Sequence, residues 1–342
     1  KDFSSGKGGN VIAFLMEHEQ FNYPESIRYL ANKYNIEIIE TVETSENIEK
    51  RNERESLFII NNFASSYFQD KLAEKEEINK WADKYYPGWI QRFKDHGLKV
   101  YAALGDHEIR DNPWRGAQAD AVPFYKDAFR RHLKMPLNGP DHMKGTAFYW
   151  LHKNALFISV DVFEKGKSRQ GEIAAGVTAK QLVWFEQGLS KHRDQVDHII
   201  VMGHTPILRP VRTFSSSGML TEKGRDSEFW RAMVKYDVDL YLCGEVHAVT
   251  CTQRDGIQQI AHGGLIGRTT KPNYLKVTVE EDRLDLNIKE IDLINGKGRL
   301  WQRDKSKGPW DTITITPERK KKGFTSIGSV SITKSFDQKK FV

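Results

Sequence analysis

Apolar and polar positions alternate along this chain in two different rhythms. Near the start, Val11–Glu19 reads as a short apolar helix. Asn10 ahead of it is suited to cap a helix, and Gly6-Lys7-Gly8-Gly9 reads as a turn. Ile27, Leu30, Ala31 and Tyr34 then share one face at i, i+3, i+4 and i+7, with Pro24 suited to the first turn of that second helix. Ile36–Ile39 is strand-like. Residues 41–55 offer little to bury and read as a linker. Leu57, Ile60, Ala64, Tyr67 and Phe68 line one side of a third predicted helix over Glu55–Leu72.

The rhythm changes near residue 75. A helix carrying Ile78, Trp81, Ala82 and Tyr85 is expected to break at Pro87, resume through Trp89, Ile90 and Phe93, and stop at Gly97. Leu98–Leu104 reads as a buried strand. Further strands are predicted at 155–160, 198–202, 238–242 and 257–261. Helices are predicted at 178–193, with Thr178 and Gln181 as a capping box, and at 226–236. Residues 273–291 read as a hairpin. Strands alternating with helices predict a layered α/β domain. Beyond Asn295 the chain is Lys-rich and weakly patterned, and Arg319-Lys320-Lys321-Lys322 reads as a solvated loop.

Charge sharpens the division. The 342 residues carry a net charge of +6, but residues 1–73 sum to −4 and the remainder to +10. A basic domain suits an anionic substrate, a nucleic acid or a membrane surface. The longest purely apolar run, Val11–Met16, is far short of a membrane span. No signal-peptide pattern opens the chain, so a cytoplasmic location is expected. An opening Lys1 suggests a fragment or a processed product. The two cysteines, Cys243 and Cys251, form no CxxC pattern and are expected as reduced thiols, on neighbouring strands.

The candidate chemistry follows the strands. Gly105-Asp106-His107-Glu108 follows Lys99–Leu104, Gly203-His204-Thr205-Pro206 follows Ile199–Met202, and Gly244-Glu245-Val246-His247 follows Val238–Cys243. Ligands gather at strand ends in α/β sheets. Each cluster opens on glycine and offers carboxylate or imidazole, a donor mix suited to Mn, Fe or Zn. Asp161 and His262, each just past a predicted strand, are further cleft candidates. Trp114 and Arg115, in the loop after the first cluster, complete the set.

In order and spacing, these clusters resemble the last three of the five motifs of calcineurin-type metallophosphoesterases. The resemblance covers roughly residues 75–300. It implies a four-layer αββα sandwich and hydrolysis of a phosphate-ester substrate with divalent metal (Mn, Mg, Fe or Zn). It implies Asp106, His204, Glu245 and His247 as metal ligands and His107 as general acid. Asp106 stands where the family has Asn, and Glu245 where it has His; both changes favour harder metals such as Mn or Mg. The family's first motifs, Asp-x-His and Gly-Asp-x-x-Asp, do not occur in this sequence. The expected fold therefore lacks its first strands, and the expected activity is impaired.

Residues 1–73 resemble bacterial replicative DNA primase, at the end of its zinc-binding domain. The resemblance rests on Asp2-Phe3-Ser4-Ser5-Gly6-Lys7-Gly8-Gly9-Asn10, the helix Val11–Glu19 and Tyr23-Pro24-Glu25. Asp2 and Ser5 stand at positions of zinc-ligating cysteines, so no zinc is expected there. The resulting organisation is a primase-like helical fragment at 1–73, a truncated phosphoesterase domain at 74–300 and a basic extension at 301–342. Two alternatives stand beside the hydrolase: an inactive chimeric remnant, and a primase-related protein binding nucleic acid.

Overall fold

Asn10 caps the first helix, as its side-chain carbonyl accepts the Ala13 N–H at 2.9 Å. In the computed structural model, which describes residues 10–38, 74–110, 112–212, 216–264, 271–291 and 323–334, this helix is α1 (Val11–His18). It is followed by α2 (Tyr23–Lys33). Asn22 and Glu25 form a reciprocal capping box at the start of α2, with Pro24 in its first turn. The two helices touch each other, and Leu15 of α1 and Ala31 of α2 are buried. Residues 36–38 form no strand; Ile36 is exposed and has no partner strand among the described residues, which corrects the strand reading over 36–38, while Ile39 lies outside the described residues. The predicted linker at 41–55 and helix at 55–72 lie outside the described residues. The chain divides into two compact units, Lys1–Gln69 and Asp70–Val342.

The larger unit opens with α3, which spans residues 74–95 without a break. Pro87 therefore does not interrupt it. The first half is anchored by Ile78, Ala82 and Tyr86, packed against Ala121, Phe124, Tyr125 and Ala128 of α4 (Ala117–Leu133). Residues 98–104 are not a strand, contrary to their apolar pattern. An apolar run becomes a strand only with a ladder partner, and here side-chain packing takes that place. Tyr101 stacks on Trp150 at 3.9 Å between ring centroids, and Leu104 is fully buried.

A six-stranded sheet forms the centre, in the order β1-β2-β5-β6-β8-β7. Its strands are β1 (Phe148–His152), β2 (Ala155–Ser159), β5 (His198–Met202), β6 (Leu240–Cys243), β7 (Thr250–Arg254) and β8 (Ile257–Ala261). The four middle strands run parallel, and β1 and β7 are antiparallel edges. Side chains alternate between two cores, as the period of a strand requires. Leu156, Ile158, Ile199, Val201 and Tyr241 face the core shared with α5 (Ala179–His192) and α6 (Glu228–Lys235). Phe157, Ile200, Leu240, Leu242 and Ile260 face Leu275, Leu284, Leu286 and Val330 of a second sheet. That sheet is β11-β10-β9, from β9 (Asn273–Val279), β10 (Arg283–Ile291) and β11 (Phe324–Thr333). Helices, sheet and sheet are thus stacked in an α/β arrangement. No helix among the described residues is long and apolar enough to cross a membrane.

Several local expectations are corrected. Thr178 precedes α5 but makes no capping hydrogen bond. Its hydroxyl goes to Glu164, and Gln181 bonds the backbone of Asp161 and the Glu164 carboxylate. The hairpin β3 (Phe163–Ser168) with β4 (Gly171–Ala175) was not predicted. Nor was β11, within the weakly patterned tail. Cys243 and Cys251 are free thiols on β6 and β7, separated by β8 rather than on neighbouring strands.

Candidate metal centre

Glycine makes the slot in which this site is built. His204 leaves the end of β5, and its ring lies between Gly105 and Gly244. A Cβ at Gly105 would meet its Nδ1 at 3.0 Å, and one at Gly244 would meet its Cε1 at 3.2 Å. The Gly244 N–H donates to the His204 carbonyl at 2.8 Å, tying the turns after β5 and β6 together. The Phe163 ring lies 5.8 Å from the imidazole between centroids.

Into this slot come two carboxylates. Asp106 precedes a short 3-10 turn at His107–Ile109, and its Oδ1 accepts the His107 N–H at 3.0 Å. Glu245 follows β6 with a left-handed backbone, φ +61°. His204 Nε2 lies 2.9 Å from Asp106 Oδ1 and 3.4 Å from Glu245 Oε2. One ligand atom from each of the three residues falls within 4.8 Å of the others. Asp106 and Glu245 are buried, and Nε2 is buried without a well-directed hydrogen bond.

Electrostatics reflects that crowding. Burial alone would lower the pKa of His204, but the adjacent Asp106 and Glu245 outweigh it and push the imidazole up to about 9. Burial opposes ionisation of Asp106 as well, and His204 overcomes it, holding the carboxyl below its ordinary value. Glu245 is likewise held low, by His204 and by the hydroxyls of Ser217 and Ser216. Glu108 goes the other way: burial raises it, although its Oε2 accepts the Gly105 N–H at 2.9 Å.

Two carboxylate oxygens and one imidazole nitrogen, converging within 4.8 Å of one another, form a donor set suited to a divalent cation. The remaining sequence candidates are placed differently. His107 is exposed beside Asp106. His247 is half-buried, with φ +53°, and its carbonyl accepts from Arg212; it is not one of the three clustered ligands. His262 follows β8, where Ala261 pairs in register with Cys243. Its Nδ1 accepts the Gly264 N–H at 3.2 Å, and burial lowers its pKa. Asp161 is fully buried and paired with Lys126 at 2.7 Å. Trp114 is a core residue, packed on Phe163 and donating its indole N–H to the Arg110 carbonyl at 2.6 Å. Arg115 is exposed. Ser216 and Ser217, which bond Glu245, were missed. The Ser-Ser-Gly run there signals a turn but does not say which carboxylate it will meet.

Comparison with known proteins gives two matches along the chain. Residues 1–46 match the family model of the CHC2 zinc finger, and residues 58–249 that of the calcineurin-like phosphoesterases. A DNA primase of Clostridium acetobutylicum is 35% identical over 171 residues, 49% of this chain and 25% of the primase. The chain thus spans about a quarter of that relative's length. A dimetal phosphatase structure from Danio rerio shares 14% identity, covering 72% of this chain and 76% of that one at a TM-score of 0.44. The Plasmodium inner membrane complex anchor GAP50 shares 13%, covering 65% and 84% at a TM-score of 0.32. The phosphoesterase match takes in more than half of the 342 residues, and the chain belongs to the calcineurin-like phosphoesterase family.

Proposed function

We propose that this chain is a metal-dependent phosphate-ester hydrolase of reduced activity, with one cation held by Asp106, His204 and Glu245. The observation that carries this reading is the convergence of three ligand atoms, with His204 Nε2 2.9 Å from Asp106 Oδ1 and 3.4 Å from Glu245 Oε2. A divalent cation there would supply Lewis acidity and offset the charge of a bound phosphate. His107, exposed beside Asp106, is the residue to hand a proton to the leaving oxygen. The neutral His262, one strand across from Glu245, would face the same end of the sheet. Mn, Mg, Fe and Zn all suit the donors, and the second carboxylate favours the harder ions.

Reduced activity follows from ligand count. The sequence contains no Asp-x-His and no Gly-Asp-x-x-Asp, and His247 alone would be left for a second cation. A lone imidazole does not retain a divalent ion against water. Losing even one electrostatic contact to a developing oxyanion costs about 10²–10³ in rate. The same absence supports the second reading, an inactive chimeric remnant. The primase match supports a third, in which the first 73 residues serve a nucleic-acid-binding role. Their net charge of −4 disfavours it, since phosphate contacts need Lys and Arg. The matched segment 1–46 contains no cysteine in this sequence, where the first is Cys243.

The test is turnover of an activated phosphodiester by the purified chain, with bound metal titrated in parallel. One Mn²⁺ per chain with weak turnover, abolished by His107→Ala, is the expected result. Two ions with robust turnover would overturn the single-cation reading. One ion with no turnover would favour the inactive remnant.

A further inference from the structure

Glu245 is held from both sides, and the two sides differ. Its Oε2 faces His204 Nε2 at 3.4 Å. Its Oε1 accepts the Ser216 hydroxyl at 2.9 Å, the Ser217 hydroxyl in a short contact, and the Met219 N–H at 3.4 Å. The hydroxyls are themselves oriented. Ser216 Oγ accepts the Gly218 N–H at 3.1 Å, and Ser217 Oγ accepts the Met219 N–H at 3.3 Å. Each serine has one hydroxyl proton to give. With backbone N–H groups on the oxygen lone pairs, that proton points at the carboxylate. The Glu245 side chain is only 2% exposed, so water does not compete for Oε1.

We infer that Ser216 and Ser217 are positioning residues that fix Glu245 as a one-oxygen ligand, presenting Oε2 to the cation and withholding Oε1. This rests on the metal site proposed above. A carboxylate otherwise binds a divalent ion through one oxygen or both. The two hydroxyls, with the Met219 N–H shared between Oε1 and Ser217 Oγ, fill the lone-pair positions that a chelating mode would need. The backbone of residues 216–219 thereby sets the orientation of a ligand at the end of β6, through two hydroxyl relays. Outer partners of this kind orient ligands elsewhere, and their loss costs about 10–100-fold in metal affinity.

The experiment measures Mn²⁺ affinity of the full chain by calorimetry, alongside the visible spectrum of the Co²⁺-loaded protein. The variants are the double change Ser216→Ala with Ser217→Ala, and the double change Ser216→Thr with Ser217→Thr. The alanine pair is expected to bind Mn²⁺ about 10–100-fold more weakly. Its Co²⁺ absorption should also weaken, as the freed carboxylate chelates and coordination number rises. The threonine pair retains both hydroxyls and should restore affinity and spectrum. An alanine pair that melts lower without metal, yet binds Mn²⁺ and Co²⁺ as the parent does, would reduce the serines to a structural role and overturn the inference. A parent chain that takes up no Mn²⁺ would sink the metal site itself, and the clamp with it.

Discussion

Strands β5 and β6 carry a histidine and a carboxylate at each end, and the two ends have been put to different uses. At one end His198 opens β5 and Asp239 directly precedes β6. There the protein supplies its own cation. Lys334, just past β11, reaches Asp239 Oδ1 at 2.9 Å and donates to the carbonyls of Asp197 and Asp237. Burial raises the pKa of Asp239 and lowers that of Lys334, so for both groups desolvation outweighs their mutual attraction. Such a pair contributes little net stability but is costly to break. At the other end His204 and Glu245 meet Asp106, and the carboxylates close on an imidazole. An ammonium on a tether stays where it is. An imidazole can give up its proton and take a metal in exchange. The contrast between structural lock and exchangeable site lies in the lysine that meets Asp239 at one end and in the imidazole set between two carboxylates at the other.

The largest effect that would separate the two ends is expected from Lys334→Ala. It strands a buried carboxylate and should cost about 3–5 kcal/mol, read from the denaturation midpoint. Mn²⁺ affinity of the folded fraction should not change. A parallel loss of affinity would mean that the ends are coupled and would break the comparison.

Proton competition comes next in size. Below about pH 9, metal binding must displace a proton from His204, so Mn²⁺ affinity should fall up to about tenfold for each unit of acidification. The metal-free protein should show the opposite trend in stability. The folded pKa of about 9 lies above the unfolded value of 6.5. The stabilisation from His204 is therefore complete below 6.5 and lost as pH climbs through 9. A flat melting profile across that window would remove the distinction drawn for the metal end.

The smallest effect is expected from Asp106→Asn, which keeps shape and removes one of the two charges beside His204. The imidazole should titrate closer to its ordinary range, followed by NMR. An unmoved titration would show that Asp106 is not what holds the proton.

Which parts of this were legible in the sequence follows from where each signal lies. Strand β5 is buried on both faces and reads as an apolar run with the boundaries later found, and β8 was found at the predicted boundaries although Gln258 and Gln259 interrupt its apolar residues. The glycine-led clusters after β5 and β6 were visible because glycine and chemistry stand side by side. Residues 98–104 misled, since their apolar pattern is that of a strand but pairing depends on a neighbour elsewhere in the chain. The hairpin β3-β4 was hidden by its charges: Glu164, Lys165 and Lys167 interrupt any apolar alternation. Asp161 was ambiguous because its partner Lys126 lies 35 positions earlier, with no local pattern joining them. The serine donors to Glu245 were unreadable for the same reason, 28 and 29 positions away.

The Lys334 contact also bears on how long the native state lasts. Its bond to the Asp197 carbonyl spans 137 positions, and that to Asp237 spans 97. Contacts of such separation are reached only after much chain has been ordered, because loop-closure entropy must be met first. Interactions that form after the transition state act on the escape rate rather than on the approach. Lys334 is placed to be one of them. Its three acceptors are therefore expected to act on the unfolding rate of the folded chain more than on its folding rate.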